Sequence, residues 1–408
     1  MKPEITHAPR PVGRVRTGLR GRTRASRSAA ALLGVALATA ACGASPAQQV
    51  AAARAARSAA RPAGSPVLPP PTGPHAVGRS VLHLVDTRRP DPWVPSAGPR
   101  QLMVSMYYPA RPGTGGPAAY MTTEEARLFL REKAPGAGFP PEALSATRTY
   151  ARTGARPAGG RFPLVLLSPG FGFPRATLTG LAEDLASHGY VIALVDHTYE
   201  NSGTTFPDGR TLACAICDKP PAGGQPAIAR SRAGDISFVI DRLTGHHPAW
   251  RDAHLIDSRR IGMAGHSIGG DAAAATMAAD RRVRAGVDMD GTFYAPVPST
   301  GLGHRPFLMF GAEHEAPGAD PTWEQAWRSL DGWKRWLTVA GSDHGTFTDM
   351  PVLSAWAGRP GTALSPQRSE QITRTYVGAF FGLHLEGTPQ PLLEGPSSAD
   401  PEVTFQSP

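Results

Sequence analysis

The sequence of 408 residues contains only three cysteines, and two of them, Cys214 and Cys217, form a C-x-x-C pair. A zinc site at this pair would need two further ligands, and none is spaced nearby to supply them. A thioredoxin-like redox pair would begin a helix, which the surrounding segment Thr211–Lys219 does not suggest. The pair therefore predicts a small loop closed by a disulfide, with two inert thiols as the other interpretation.

Long apolar runs are also missing. Beyond the first 41 residues there is no stretch of about 18 or more apolar residues, so the sequence predicts no membrane span there. Hydrophobic residues still make up 41% of the chain, which is enough for a substantial core. The length allows one large domain or two ordinary ones.

Excess positive charge is absent from the part of the chain that is expected to fold. The whole chain has a net charge of +9, but residues 1–61 alone hold eleven basic side chains and one acidic side chain. Residues 62–408 hold 31 basic and 32 acidic side chains, a net charge of −1. A nucleic-acid-binding domain needs basic residues clustered on its own surface, so this class of protein is excluded.

The N-terminus has the layout of an export signal. A positively charged region precedes the apolar segment Ala29–Ala41, and Cys42 follows. Its arginines are Arg10, Arg14, Arg16, Arg20, Arg22, Arg24 and Arg27. Thr39–Cys42 resembles a bacterial lipobox in which Thr39 replaces the usual Leu, so lipidation of Cys42 competes with ordinary cleavage near the alanine-rich end. A third interpretation is a disordered Arg/Ala-rich tail on a cytosolic protein, and we expect export.

Composition suggests the remaining boundaries. We assign residues 1–41 to a signal peptide, 42–75 to a flexible Ala/Pro-rich linker, 76–390 to a single folded domain and 391–408 to a loose C-terminal tail. The linker and the tail are rich in small and turn-forming residues, which cannot bury a core.

From residue 161 onward, short apolar runs alternate with segments of helical spacing. The predicted strands are Phe162–Ser168, Tyr190–Val195, Arg260–Ala264, Val283–Met289, Pro306–Phe310 and Trp336–Ala340. The predicted helices are Ala176–His188, Arg230–Leu243, Gly269–Ala279, Pro321–Arg335 and Pro366–Phe381. Upstream, Gln101–Pro109 is predicted to be an edge strand and Thr122–Lys133 a helix. Apolar strands alternating with helices predict a mostly parallel sheet covered on both faces, with reactive groups at the carboxyl ends of the strands.

The sharpest motif is G-x-S-x-G at Gly265–Gly269, which lies between the predicted strand Arg260–Ala264 and an Ala-rich helix. Strand, turn and helix in this order are typical of a nucleophile elbow, where a serine at a strained turn needs neighbours almost without side chains. The alternative is a serine in a Gly-rich capping turn. Ser267 is therefore the candidate nucleophile.

A serine nucleophile needs a histidine base, and the chain order in an elbow-containing sheet is serine, acid, histidine. The histidines after Ser267 are His304, His314, His344 and His384. His344 directly follows the predicted strand Trp336–Ala340, in the loop where a base belongs. Asp290 and Glu313 each close a predicted strand and could orient this histidine; position favours Asp290 and leaves Glu313 open.

An oxyanion hole requires two backbone N–H donors. The first is expected from Ile268, the residue after the candidate nucleophile. The second is expected from Phe171 in the loop Ser168–Phe173, whose glycines allow close approach of the backbone to a substrate. The alternative for this loop is an ordinary tight turn.

These segments together resemble the platelet-activating-factor acetylhydrolase family of α/β-hydrolases, its plasma-type enzymes and their bacterial relatives, over roughly residues 100–350. The similar segments are Phe162–Gly172, Asp184–Ala193, Val195–His197, Gly265–Gly270, Gly286–Gly291 and Gly341–His344. Pro169 stands where the family has a histidine, which changes the oxyanion loop but spares its backbone donor. The resemblance implies an α/β-hydrolase fold and a triad of Ser267, Asp290 and His344, with Phe171 and Ile268 as oxyanion donors.

The resemblance also implies hydrolysis of esters with short acyl groups, including phospholipid acetyl esters. We expect an exported, monomeric serine esterase that needs no metal or organic cofactor and acts on small-molecule or lipid esters. One alternative is a lipase or a cutinase-like polyester hydrolase, and another is a non-catalytic cell-surface binding protein of the same fold. Contact of the near-neutral domain with a membrane or cell envelope would use apolar rim residues such as Phe173, Phe293 and Tyr294.

Overall fold

The computed structural model describes residues 64–136 and 138–408. The predicted signal peptide, Cys42 and most of the predicted linker lie outside these residues. Among the helices of the described part, none combines the length and the hydropathy needed to cross a bilayer.

The described chain alternates strands and helices. Its strands are β1 (Ala76–Pro90), β2 (Pro99–Ala110), β3 (Gly116–Pro117), β4 (Arg152–Thr153), β5 (Phe162–Ser168), β6 (Val191–His197), β7 (Thr204–Thr205), β8 (Thr211–Leu212), β9 (Ile256–His266), β10 (Val283–Met289), β11 (Phe307–Ala312), β12 (Lys334–Val339) and β13 (Val403–Gln406). Its helices are α1 (Thr123–Lys133), α2 (Pro141–Ser145), α3 (Thr179–Ser187), α4 (Gly224–Thr244), α5 (Ile268–Ala279), α6 (Pro321–Ser329), α7 (Met350–Trp356) and α8 (Pro366–Glu386).

Eleven of the strands form one sheet in the order β13-β12-β11-β10-β9-β5-β6-β2-β1-β4-β3. Neighbours from β12 to β6 pair in parallel. β2 pairs antiparallel with β6 and with β1, and β13 pairs antiparallel with β12, whereas β1 pairs in parallel with β4. Parallel strands need crossover connections, and the helices supply them. The predicted α/β-hydrolase fold with a mostly parallel central sheet is confirmed.

Helices cover both faces of the sheet because alternate residues of the central strands face opposite cores. In β5, Leu164 and Leu166 pack into one core with residues of α4 and α5, and Val165 and Leu167 pack into the other with residues of α3 and α8. All four leucine and valine side chains are fully buried. The carboxyl ends of β5, β9, β10 and β12 therefore meet at one edge of a rigid sheet, where their loops can form a site.

Several predicted elements differ from the structure in their bounds or their place in the sheet. The segment predicted as an edge strand is part of β2, which lies inside the sheet between β6 and β1. β1 was not predicted, because its burial alternates: Val81, His83, Val85 and Thr87 are exposed, and His83 interrupts its apolar run. The helix predicted over Pro321–Arg335 ends at Ser329, since Asp331 and Gly332 break it and Lys334 already begins β12.

The predictions of a flexible linker over residues 42–75 and of a loose tail over residues 391–408 are both partly wrong. Residues 64–75 of the predicted linker pack on the domain: Leu68 is fully buried, and its amide donates to the Arg148 carbonyl at 3.1 Å. The predicted loose C-terminal tail contains β13, which pairs with β12 and buries Val403. Composition suggested disorder, but buried Leu68 and the hydrogen bonds of Thr72 and Gly73 to α3 order the first segment, and a free sheet edge orders the second.

Candidate active site

Ser267 lies at the turn between β9 and α5, where its backbone has φ 58° and ψ −131°. Residues other than glycine rarely adopt positive φ, and a conformation of this kind costs about 1–3 kcal/mol. The turn is held because the Ser267 amide donates to the Met289 carbonyl at the end of β10, at 2.8 Å. The half-buried serine side chain is thereby presented at the start of a helix.

The glycines of the motif leave no room for side chains. A Cβ added to Gly265 would lie 2.0 Å from the backbone of Gly269, and one added to Gly269 would lie 2.1 Å from the Ser168 carbonyl oxygen. One added to Gly270 would lie 1.6 Å from the carboxylate of Asp288. The elbow, the oxyanion loop and the end of β10 therefore pack backbone to backbone, which fixes the position of Ser267.

His344 and Asp290 meet beside this turn. The Nδ1 of His344 lies 2.5 Å from Oδ2 of Asp290, and the other carboxylate oxygen of Asp290 accepts a hydrogen bond from the Ala312 amide at 2.6 Å. The carboxylate is buried, whereas the side chain of His344 is 52% exposed. A buried acid thus fixes the tautomer of a histidine whose second nitrogen remains free for chemistry.

The contact between Asp290 and His344 shifts the pKa of both side chains. Burial would raise the pKa of Asp290, but hydrogen bonds from His344 and Ala312 outweigh it and hold that pKa below its ordinary value. Burial would lower the pKa of His344, but the hydrogen bond and the charge of Asp290 raise it above its ordinary value. This arrangement stabilises an imidazolium on His344, as a general base requires.

His266, the residue between Gly265 and Ser267, has a role that its place in the sequence did not indicate. Its ring is buried 4.7 Å from the ring of His344, and its Nε2 lies 2.6 Å from the His344 carbonyl oxygen. Burial, together with the neighbouring His344, lowers the pKa of His266 to about 3, so the ring is neutral and donates from Nε2. His266 thus anchors the loop that carries His344.

The acidic side chains nearby occupy different positions. Glu313 is exposed, and it accepts a hydrogen bond from the Gly341 amide at 2.8 Å instead of contacting His344. Asp288 is buried beneath the elbow, where burial and the charges of Asp271 and Asp290 raise its pKa well above the usual range. Of the two acids that the sequence left open, the structure brings Asp290 to the histidine.

The two predicted oxyanion donors lie at the same edge of the sheet. Phe171 follows β5, and Ile268 is the first residue of α5. Within the described residues, no group accepts a hydrogen bond from either amide. Their side chains belong to one apolar cluster, which also contains Ile216, Ile228 and Ala295. Two unsatisfied N–H groups beside Ser267 are what a developing oxyanion needs.

A fully buried charge network holds the loop that carries Phe171. Arg232 of α4 donates to the Pro169 carbonyl and, at 2.7 Å, to Glu200. The carbonyl of Glu200 accepts from the Gly172 amide at 2.9 Å, and its carboxylate also pairs with Arg100. The loop is therefore fastened on both sides of Phe171.

A second part of this network looks like a triad but cannot act as one. The Oγ of Ser168 lies 3.0 Å from Nε2 of His197, and Nδ1 of His197 lies 2.9 Å from Asp235. All three side chains are buried at 0–1% exposure, so no substrate can reach Ser168. Its role is to tie β5, β6 and α4 together beneath the oxyanion loop.

A cavity, a disulfide and an exposed aromatic side chain surround the site. A cavity of about 470 Å³ lies against His344, between Phe173 and the segment 350–366. Cys214 and Cys217 are joined as a disulfide, and Cys214 packs against the apolar cluster that contains Phe171. The prediction that Phe293 lies on an apolar rim is wrong, because its side chain is 2% exposed. Tyr294, which was predicted with it, is 42% exposed.

Comparison with known proteins gives the family. A model of the family described as platelet-activating factor acetylhydrolase, isoform II, matches residues 144–210 and 250–359. A probable 1-alkyl-2-acetylglycerophosphocholine esterase of Arthroderma benhamiae is 30% identical over 375 residues, which cover 83% of this chain and 93% of that protein. The chain belongs to the platelet-activating factor acetylhydrolase family. A platelet-activating factor acetylhydrolase of Cavia porcellus is 21% identical over 329 residues, 70% of either chain.

This member of the platelet-activating factor acetylhydrolase family is also similar to a solved structure, a ferulic acid esterase from Streptomyces cinnamoneus. The TM-score is 0.74 and the identity 45%, over 85% of this chain and 100% of that chain. The relatives are named as esterases and acetylhydrolases, so the chain is a carboxylic ester hydrolase. The predictions of the family and of an ester hydrolase are confirmed.

Proposed function

We propose that the protein cleaves carboxylic esters through a triad of Ser267, His344 and Asp290. The contact that carries this proposal is the 2.5 Å hydrogen bond between His344 and Asp290, next to a serine held at φ 58°. His344 removes the proton of Ser267 as its oxygen attacks the ester carbonyl. Asp290 keeps the imidazole in the required tautomer and stabilises the imidazolium that forms.

The remaining steps use the same groups. The Phe171 and Ile268 amides stabilise the negative charge on the tetrahedral carbonyl oxygen, helped by the positive end of the α5 dipole. His344 then gives its proton to the departing alcohol, which leaves an acyl group on Ser267. A water molecule, deprotonated by His344, attacks the acyl-enzyme and releases the acid.

Labelling with a fluorophosphonate probe tests the nucleophile. We expect the folded chain to be labelled once, at Ser267, and Ser267→Ala to lose labelling and about 10⁶-fold in kcat. Ser258→Ala, at an exposed position of the same strand β9, is the matched control and should behave like the wild type. Absence of label at Ser267 would contradict the triad and favour the non-catalytic binding protein.

For the substrate, we propose esters with a short acyl group, including phospholipid acetyl esters such as the one named for the Arthroderma benhamiae relative. A second candidate is an ester of an aromatic acid. The 45% identity to a ferulic acid esterase supports it, as does the apolar cluster of Phe171, Ile216 and Ile268 beside the nucleophile.

A substrate panel separates these candidates. The wild type is assayed on p-nitrophenyl acetate, p-nitrophenyl palmitate, 1-alkyl-2-acetylglycerophosphocholine, methyl ferulate and a polyester film, with Ser267→Ala as the blank. A higher kcat/KM for the two acetyl esters supports the first candidate, and one for methyl ferulate supports the second. Preference for palmitate or the film would favour the lipase or polyester hydrolase.

We further propose that the protein is exported. The Arg-rich segment followed by Ala29–Ala41 supports this, and so does the disulfide of Cys214 and Cys217, since disulfides persist in oxidising compartments. N-terminal sequencing of the mature chain from culture medium and from membranes would test it. Cleavage near residue 41 is expected in either case, and a lipid-modified Cys42 would be found in the membrane fraction. A full-length N-terminus in the cytosol would contradict export.

A further inference from the structure

One cluster of potential ligands lies beside the active site, and two of its three members have no part in the proposed mechanism. His314 and Glu315 follow β11, and both lie close to Asp290. The Nε2 of His314 lies 3.4 Å from Oε1 of Glu315 and 3.9 Å from Oδ2 of Asp290. One donor atom from each of the three residues lies within 4.8 Å of the others.

Within the described residues, nothing compensates the burial of the Glu315 carboxylate. Its side chain is 9% exposed, and its Oε2 has no hydrogen-bond partner among the described residues. Over the same residues, neither Glu315 nor Asp290 forms an ion pair with a lysine or an arginine. A buried carboxyl without a partner is costly unless a cation compensates it.

We propose that Asp290, His314 and Glu315 form a zinc-binding site that inhibits the esterase. One imidazole nitrogen and two carboxylate oxygens are ligands that zinc accepts, and two donors at about 2.1 Å from a tetrahedral zinc ion lie about 3.4 Å apart. The His314–Glu315 distance already matches this spacing. The 3.9 Å distance to Asp290 needs only a small movement of His314, whose side chain is 59% exposed and free to turn.

Inhibition follows from the shared carboxylate and rests on the proposed function. The oxygen of Asp290 that lies near His314 is the one that accepts from His344. A zinc ion on that oxygen would cancel the charge that stabilises the imidazolium of His344, so the histidine would become a weaker base. Zinc should therefore lower kcat rather than compete with the ester.

Zinc binding is measured by titrating the full chain, freed of metal, with zinc chloride in a calorimeter. The variant His314→Ala removes the exposed ligand, and His247→Ala removes an exposed histidine outside the site. We expect one zinc site whose affinity falls about ten-fold or more in His314→Ala and is unchanged in His247→Ala. Glu315→Gln should weaken binding in the same way. Wild-type affinity in His314→Ala, or no binding by the wild type, would overturn the site.

Inhibition is measured separately on p-nitrophenyl acetate. The wild type and His247→Ala should lose activity as zinc is added, whereas His314→Ala should keep the activity that it has without metal. Zinc bound at His314 with no loss of activity would overturn the inhibitory role. The same titration on Ser267→Ala needs no turnover, so it detects the zinc site even if the proposed esterase mechanism fails.

Discussion

At the scale of single residues, two members of the proposed triad depend on backbone conformations that side chains usually avoid. Ser267 has φ 58° and Asp290 has φ 60°, and each directly follows a parallel strand. Each is held by the strand beside it: the Ser267 amide donates to the Met289 carbonyl, and the Asp290 amide to the Phe310 carbonyl at 3.0 Å. The sheet thereby offsets a local strain of about 1–3 kcal/mol at each residue.

The acid can be tested by a neutral replacement. Asp290→Asn should lower kcat by on the order of 10⁴, because an amide no longer fixes the tautomer or stabilises the imidazolium of His344. Glu313→Gln is the matched control at the other candidate acid, and its turnover should stay near that of the wild type. Steady-state kinetics on p-nitrophenyl acetate give both values, and a larger loss in Glu313→Gln would reverse the assignment.

The pH profile tests the same pair through the titration of His344. His344 must be neutral to accept a proton, so kcat/KM should fall as the pH drops through its pKa. Since Asp290 raises that pKa, the midpoint of the acid limb should lie above about 6.5, the ordinary value for histidine. In Asp290→Asn the residual activity should have a midpoint at lower pH. An acid limb that stays in place in this variant would show that another group titrates.

The sequence could predict the triad because its members follow strands in a fixed order and stand in recognisable motifs. It could not predict the roles of His266 and Glu315. A histidine beside a nucleophile gives no sign that its ring will support the His344 loop, since the two lie 78 residues apart. Glu315 follows a strand like any surface glutamate, and its burial depends on packing against Trp336 and Gly311.

At the scale of elements, α4 and the loop after β5 form one unit. The predicted helix began near Arg230, whereas α4 begins at Gly224 and brings Arg232 beneath the oxyanion loop. Charged residues in a sequence are normally assigned to the surface, so Arg232, Glu200 and Asp235 gave no signal of a buried network. Their partners lie 32 to 146 residues away in the chain, and only the finished fold brings them together.

Removing Arg232 should therefore affect catalysis as well as stability. In Arg232→Met the loop with Phe171 loses its tie to α4, and we expect kcat to fall about 10²-fold with little change in KM, as for the loss of one oxyanion donor. Unfolding in urea should show a loss of about 3 kcal/mol, because Glu200 loses one of its buried partners. Arg230→Met, at an exposed position of the same helix, should match the wild type in both assays. A pure loss of stability with unchanged kcat would exclude the positioning role.

The strands themselves show which elements a sequence can predict. β5 and β10 begin and end at the predicted residues because strands buried on both faces are continuous apolar runs. β1 and β13 were missed because exposed positions lie among their buried ones and neither is a continuous apolar run. The edge regions of the sheet were thus harder to predict than its centre, although the site depends on the centre alone for Ser267 and Asp290.

At the scale of the whole molecule, the C-terminal segment adds the edge strand β13 to the sheet, next to the loop that carries His344. The Ala340 amide, just before the His344 loop, donates to the Glu402 carbonyl at 2.8 Å. Arg368 of α8 pairs with both Asp400 and Glu402. The end of the chain therefore fastens β12 to α8 and completes the support of that loop.

A chain that ends at Ala399 tests this coupling between the C-terminus and the site. It lacks β13, the burial of Val403 and the ion pairs of Arg368, and it leaves β12 as an unprotected edge. Loss of one buried valine costs about 1.5–3 kcal/mol, so the melting temperature should fall by several degrees. kcat should fall as well, since the His344 loop loses its tie at Ala340, and the shortened chain should aggregate sooner. A chain that lacks only residues 407–408 is the matched control; equal melting temperature and kcat in the two would mean that β13 supports neither the fold nor the site.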